Sequence, residues 1–163
     1  MSPARRKRVT SGVPFEQAVG YSRAVGAGDF IFVSGCTSIA HGKVVYEGDL
    51  ARQTEQALLN VSAALEQFGA SLADVVQTRL FVTDISRWEE VGEAHRMAFE
   101  LAPPATSMVQ VAALIDPRLL VEVEAVAHRE ASLDPDKGDD EPGESEVAPD
   151  AIRLDDPSPD DSI

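Results

Sequence analysis

The stretch PATSMVQVAAL (Pro104–Leu114), followed after a short link by VEVEAVA (Val121–Ala127), decides the fold class. Both halves alternate with the period of two that belongs to strands. In the first, Val109, Val111 and Ala113 face one way, and Thr106, Met108, Gln110 and Ala112 the other. In the second, Val121, Val123, Ala125 and Ala127 share a face, opposite Glu122, Glu124, Val126 and His128. The link Ile115-Asp116-Pro117-Arg118 is turn-like, which predicts an antiparallel hairpin. One side of this pair is apolar and suited to a core. The other, with Glu122, Glu124, Gln110 and Met108, is mixed and suited to solvent or to another subunit.

Working back toward the N-terminus, VVQTRLFVT (residues 75–83) predicts a strand with Val76, Leu80 and Val82 on one face. Two helices flank it. Leu50, Thr54, Ala57, Leu58, Val61, Leu65 and Phe68 recur at helical spacing, with Asp49 as N-cap and Gly69 as stop. Ser86 and Glu89 form a capping-box pattern, and Trp88, Val91, His95 and Phe99 give the inner face of the second helix. Pro103-Pro104 ends it. Upstream, DFIFVSG (residues 29–35) is a short buried strand that Tyr21–Val25 pairs with across Gly26-Ala27-Gly28, and Lys43–Tyr46 is a further short strand. Strands, helix, strand, helix, strands make an α+β two-layer domain, a mixed sheet with two helices on one face.

Charge divides the chain unevenly. The 163 residues carry 14 Lys plus Arg against 28 Asp plus Glu, a net charge of −14. Residues 131–163 hold 12 acidic and 2 basic side chains, five of the ten prolines and no aromatic residue. So little apolar surface cannot offset chain entropy, and the segment reads as an acidic disordered tail, with an interaction tail as the functional alternative. Residues 1–8 are the opposite, a basic N-terminal segment with Arg5, Arg6, Lys7 and Arg8 in a row. No apolar segment follows them, so they do not form an export signal, and a cytoplasmic location is expected. That leaves residues 9–130 as the folded unit, itself acidic with 8 basic and 16 acidic side chains, which argues against nucleic acid as the partner. No apolar run approaches the ~20 residues that cross a bilayer.

Few residues stand out for chemistry. Glu122 and Glu124 lie two apart on one strand face, about 6.5–7 Å from the strand rise, where carboxylates in unlike environments can divide acid and base roles. A solvated strand face is the plainer explanation. His95 sits on an apolar helix face, where a packed, hydrogen-bonded histidine is the common case. Ser34-Gly35-Cys36 is a cluster of small residues after a buried strand, and the single cysteine excludes a disulfide framework and a zinc site built on thiolates. No structural metal is expected, and the glycines fit neither a phosphate loop nor a dinucleotide fingerprint.

Taken in order, Gly20-Tyr21, the strand into Val33-Ser34-Gly35, the helix Gln53–Leu65 with Asn60, GASLADVVQTRLFVTD (Gly69–Asp84) and the closing PATSMVQVAAL and VEVEAVA resemble the YjgF/Rid family of reactive intermediate deaminases, also labelled L-PSP. The resemblance spans about residues 9–129. It implies a chorismate-mutase-like fold, a homotrimer with the sheets as an inner barrel, small-metabolite clefts between subunits, and no cofactor. Members of the RidA type hydrolyse imines and enamines derived from amino acids to 2-keto acids and ammonia. The resemblance assigns water positioning to Glu122 and substrate binding to Tyr21, Ser34, the Gly35 backbone, Thr106 and Met108. The family's carboxylate-binding arginine falls on Thr106, and the cysteine two residues later falls on Met108. Thr106 brings a hydroxyl and no charge, which removes a charge-assisted pair worth about 1.5–3 kcal/mol from a carboxylate substrate. The chain therefore resembles an arginine-lacking branch. Arg118 in the link and Arg23 beside Tyr21 are the candidate surrogate cations, each against a plain surface role. The expected function is hydrolytic deamination of imines, enamines or related metabolites, with a non-catalytic metabolite-binding or regulatory protein as the alternative.

Overall fold

The computed structural model describes residues 6–129. The acidic stretch 131–163 and the first five residues lie outside the described residues. Eight strands and three α-helices follow in the order β1 (Lys7–Val9), α1 (Pro14–Val19), β2 (Ala24–Ala27), β3 (Phe30–Cys36), β4 (Ile39–Ala40), β5 (Lys43–Val44), α2 (Leu50–Glu66), β6 (Val75–Val82), α3 (Trp88–Ala98), β7 (Ala105–Gln110) and β8 (Val121–His128). The strand β1 starts inside the basic segment, so Lys7 and Arg8 are sheet residues paired with Gly26 and Val25.

The main sheet has the order β1-β2-β3-β8-β6-β7, and β4 and β5 pair separately. This corrects the expected hairpin. The last strand does not lie beside β7. It enters between β3 and β6, antiparallel to both, while β7 pairs with β6 in parallel. Parallel neighbours need a crossover, and α3 supplies it between β6 and β7. The segment 111–120 then carries the chain from the sheet edge back to its middle. Local alternation reports which residues share a face; it says nothing about which strand sits next door.

Alternation on β8 is as read: Val121, Val123, Ala125 and Ala127 are all buried beneath α2, three of them at 0% exposure. Each fully buried valine contributes about 1.5–3 kcal/mol of burial. The mixed face needs correction. Register places Thr106 beside Thr78, Met108 beside Leu80 and Gln110 beside Val82, on the row that faces the helices. Glu122 and Glu124 pair with Phe81 and Arg79 on the open face. Met108 packs against the core, and Gln110 Oε1 accepts from the Ile85 N–H. Val76 falls at a register shift and is exposed, so Val75 takes its place inward.

The long helix forms as its spacing requires. Asp49 accepts from the Arg52 N–H at 3.0 Å, and Gly69 adopts φ +65° just beyond the C-terminus. The shorter helix begins differently from its capping-box pattern. Asp84 accepts from Ser86 at the head of a 3₁₀ turn (Ile85–Arg87), and α3 continues without a side-chain cap of its own. Trp88 is left outside at 54% exposure, and Val91, Ala94 and Phe99 form the buried face. The helix α1 has no counterpart in the hydropathy reading. Its signals are Pro14 at the first position and Gly20 at φ +82° past the end.

Candidate functional site

The site grows from an irregularity in the sheet. Val33 pairs with Ala125 and Cys36 with Val123, so β3 holds one residue more than β8 over this span. Ser34 and Gly35 bulge out of the ladder, just where β3 runs past the end of β2. A bulge frees backbone carbonyls, which are costly if left dry. Arg23 takes them up. Its Nη1 donates to Gly35 O at 2.6 Å and Ser34 O at 3.3 Å, and reaches the buried Cys36 Sγ at 3.3 Å. Nη2 donates to the Tyr21 hydroxyl at 3.3 Å. Ser34 Oγ in turn donates to Ser22 O.

Arg23 is only 12% exposed, and its countercharge is Glu16 at 3.6 Å, 6% exposed. Glu16 is the one buried residue of α1. Its carboxylate also accepts from the Ser11 N–H, the Ser11 hydroxyl and the Gly12 N–H. Burial works against its charge, but these donors and Arg23 outweigh it and hold the pKa below the usual carboxylate range. Burial likewise opposes the charge of Arg23, while its anionic and polar neighbours keep the group protonated.

Glu122 closes the arrangement. Its carboxylate lies against Gly35 so closely that a Cβ there would overlap Glu122 Oε1. Only glycine leaves that room. Burial first, and the neighbouring Glu124 second, push the pKa of Glu122 up; Arg23 opposes them. Tyr21 is pushed up as well, mainly by burial. These groups line one cavity of about 450 Å³. Asn60 on α2 fixes its far wall by donating to Thr37 O and Ile39 O.

The structure therefore brings together Tyr21, Arg23, Ser34, Gly35 and Glu122, and leaves out Thr106, Met108 and Arg118. Thr106 and Met108 sit on β7, separated from β3 by the two strands β8 and β6. The Thr106 hydroxyl is 2.8 Å from Thr78 Oγ1, which is 2.9 Å from His95 Nε2. Arg118 donates to both oxygens of Asp116 and to Glu47, at 52% exposure, and pulls the pKa of Asp116 down to about 2. Arg23 is no surface residue, which corrects the plainer of its two readings. The sequence reading missed Glu16 altogether. Its only signal was an acidic residue in the first turn after Pro14, a pattern of helix starts rather than of sites. Among the described residues, no group of three or more His, Cys, Asp or Glu side chains is placed to hold a metal ion, and no helix is long and apolar enough to cross a membrane.

A mixed α+β sheet with a bulged strand, its carbonyls engaged by a buried arginine, borders this cavity. Comparison places the chain more narrowly. The family model described as "Endoribonuclease L-PSP" matches residues 13–129. A crystal structure of a YjgF/YER057c/UK114-family member from Mycobacterium tuberculosis is 54% identical, with a TM-score of 0.69 over 76% of this chain and 99% of that one. A RutC family protein of Pyrococcus abyssi is 37% identical over 68% of this chain and 87% of its own length. The human 2-iminobutanoate/2-iminopropanoate deaminase is 34% identical over 74% of this chain and 89% of its own. The chain belongs to the YjgF/Rid family.

Proposed function

We propose that the chain is a hydrolase that deaminates imines or enamines of amino acids, or closely related small metabolites, in the cavity beside Gly35. The observation that carries this reading is Glu122, a carboxylate with a raised pKa packed on a glycine at the cavity floor, within the field of Arg23. A carboxylate raised in this way is a stronger base than an ordinary one and can take a proton from water. Water would add to the carbon of the protonated imine as Glu122 accepts a proton from it, giving a neutral carbinolamine. Glu122 returns that proton to nitrogen, and as the C–N bond breaks the remaining hydroxyl proton passes through Glu122 to the departing ammonia, leaving a keto group and ammonium. Arg23 spends most of its five N–H groups on Gly35, Ser34, Tyr21 and Glu16. Its main effect on substrate is through Tyr21: the hydroxyl accepts from Arg23 and keeps its own proton for a ligand. Two carboxylates beside one guanidinium suit a small metabolite better than the phosphates of RNA. The homotrimer implied by the family is supported by Phe30, Phe32 and Val109, each 44–48% exposed on the sheet's open face. A cytoplasmic location remains part of the same proposal.

The test is imine hydrolysis with an amino acid oxidase supplying the imines, neutral and acidic amino acids being compared. Glu122→Gln is expected to lower turnover about 100-fold or more with unchanged melting temperature. Unchanged turnover in that variant would remove Glu122 from the mechanism. The second reading, a metabolite-binding protein without turnover, is favoured by one observation: Thr106 carries no charge and its hydroxyl is already engaged. Saturable binding of 2-keto acids with no hydrolysis of any imine, in the natural protein and in Thr106→Arg, would decide for it.

A further inference from the structure

The polar floor accounts for one side of the cavity only. Facing it are Val13, Phe15 and Val19 from the segment around α1, Ile39 from β4 and Ile115 from the segment before β8. Three of these are strongly solvent-exposed: Phe15 at 49%, Ile115 at 71% and Val19 at 72%. The way α1 is held makes this more than chance. A surface helix is normally docked by an apolar stripe. Here the single buried residue of α1 is the charged Glu16, anchored by Ser11, Gly12 and Arg23. The helix is tied down by its carboxylate, and its large apolar side chains stay uncovered at the cavity. At about 450 Å³ the space also exceeds what a three- or four-carbon imino acid fills.

We infer that the cavity is built for a substrate with a bulky apolar side chain, so that the imines it takes are those of branched-chain or aromatic amino acids rather than of alanine or 2-aminobutyrate. The head group, with its carboxylate and imine, meets Tyr21, Arg23 and Glu122. The side chain lies under Phe15, Val19 and Ile115 and removes their exposed surface from water. This inference rests on the proposed hydrolysis for its substrate class, and on the apolar wall alone for its size preference. Each methylene buried there multiplies affinity about fourfold.

The experiment compares imines generated in place from alanine, 2-aminobutyrate, leucine and phenylalanine. The leucine or phenylalanine imine is expected to show kcat/KM about tenfold or more above the alanine imine. Ile115→Ser and Val19→Ser, at exposed positions of the apolar wall, are expected to reduce that ratio several-fold. A flat or reversed ratio, or a ratio unmoved by both substitutions, overturns the inference and leaves the proposed hydrolysis standing. Absence of turnover with every imine overturns the hydrolysis instead. In that case calorimetry with 4-methyl-2-oxopentanoate and pyruvate still decides the size preference: tighter binding of the former supports it, and equal or no binding of the two refutes it.

Discussion

Two stretches of free sheet edge treat their polar residues in opposite ways: the short one that the inner strand β3 gains where it runs past the end of β2, and the outer strand β7. At the β3 edge, a bulge exposes two carbonyls, a buried arginine satisfies them, and a second buried charge on α1 balances the arginine. At the β7 edge stands Thr106, which the family resemblance matched to an arginine, an exposed residue whose hydroxyl is shared between Thr78 and Pro104 O. One edge concentrates charge in a partly dry cavity and the other carries none. Charge at β3 is structural, because it holds α1 and the bulge together, whereas Thr106 can change without disturbing either.

The largest expected effect tests that difference directly. Arg23→Met leaves Glu16 buried without its cation and two carbonyls without a donor. The expected loss is about 3 kcal/mol of stability, read from urea denaturation. Pairing it with Glu16→Gln is expected to restore part of that loss, since the orphaned carboxylate is the costlier partner. If Arg23→Met is as stable as the parent, the buried pair does not organise the β3 edge. Gly35→Ala follows in size. The added methyl meets the Glu122 carboxylate, which must turn away. About 2 kcal/mol of destabilisation is expected, together with a drop in kcat that exceeds any change in KM. An active, equally stable Gly35→Ala would mean that Glu122 does not work from its place against the bulge.

These contacts explain which parts of the structure could be read from the residues. The long helix was legible because its signals are local: Asp49 at the start, Gly69 at the end and apolar spacing between. The faces of β8 were legible for the same reason. The neighbours of β8 were not, since the α3 crossover fixes strand order and the short link to β7 misleads. Glu122 and the Ser34-Gly35-Cys36 cluster stood out from the residues themselves, but only an ordered family resemblance joined them with Tyr21; nothing in their spacing brings them to one cavity. Glu16 escaped both routes. A carboxylate buried by a six-residue helix and paired with an arginine just before β2 is a tertiary event, with no period to betray it. Met108 and Gln110 were misplaced because alternation within one strand does not say which face meets the helices.

A subtler effect separates the field at the β3 edge from its packing. Burial and Glu124 both raise the pKa of Glu122. As general base, Glu122 must be ionised, so the rate falls as pH drops through that raised value. Glu124→Gln removes one of the two causes. The acid limb of the pH–rate profile is then expected to move to lower pH, with the plateau rate little changed. A limb that stays in place assigns it to another group. The sign for stability runs the other way. Between the ordinary carboxylate pKa and its raised value in the fold, the native state holds the extra proton, so raising pH through that window weakens the fold.

The smallest effect belongs to the β7 edge and concerns one proton's direction. Pro104 O can only accept, and Thr106 donates to it at 3.2 Å. Thr106 must then accept from Thr78, and Thr78 must accept from His95, which therefore carries its proton on Nε2. Burial keeps that ring neutral by lowering its pKa below 6.5. The unfolded chain takes up a proton near that value before the native state does, so this part of the stability is present above it and lost as pH falls below it. His95→Gln is expected to flatten that decline. Thr106→Val leaves it in place and costs under about 1 kcal/mol, but it frees the Thr78 proton to turn toward the ring. The expected signature is a shift of His95 toward the Nδ1–H tautomer, read from its imidazole ¹⁵N resonances. An unchanged tautomer would show that Thr78 never donated outward, and that Thr106 stands at the β7 edge without a link to the helix layer.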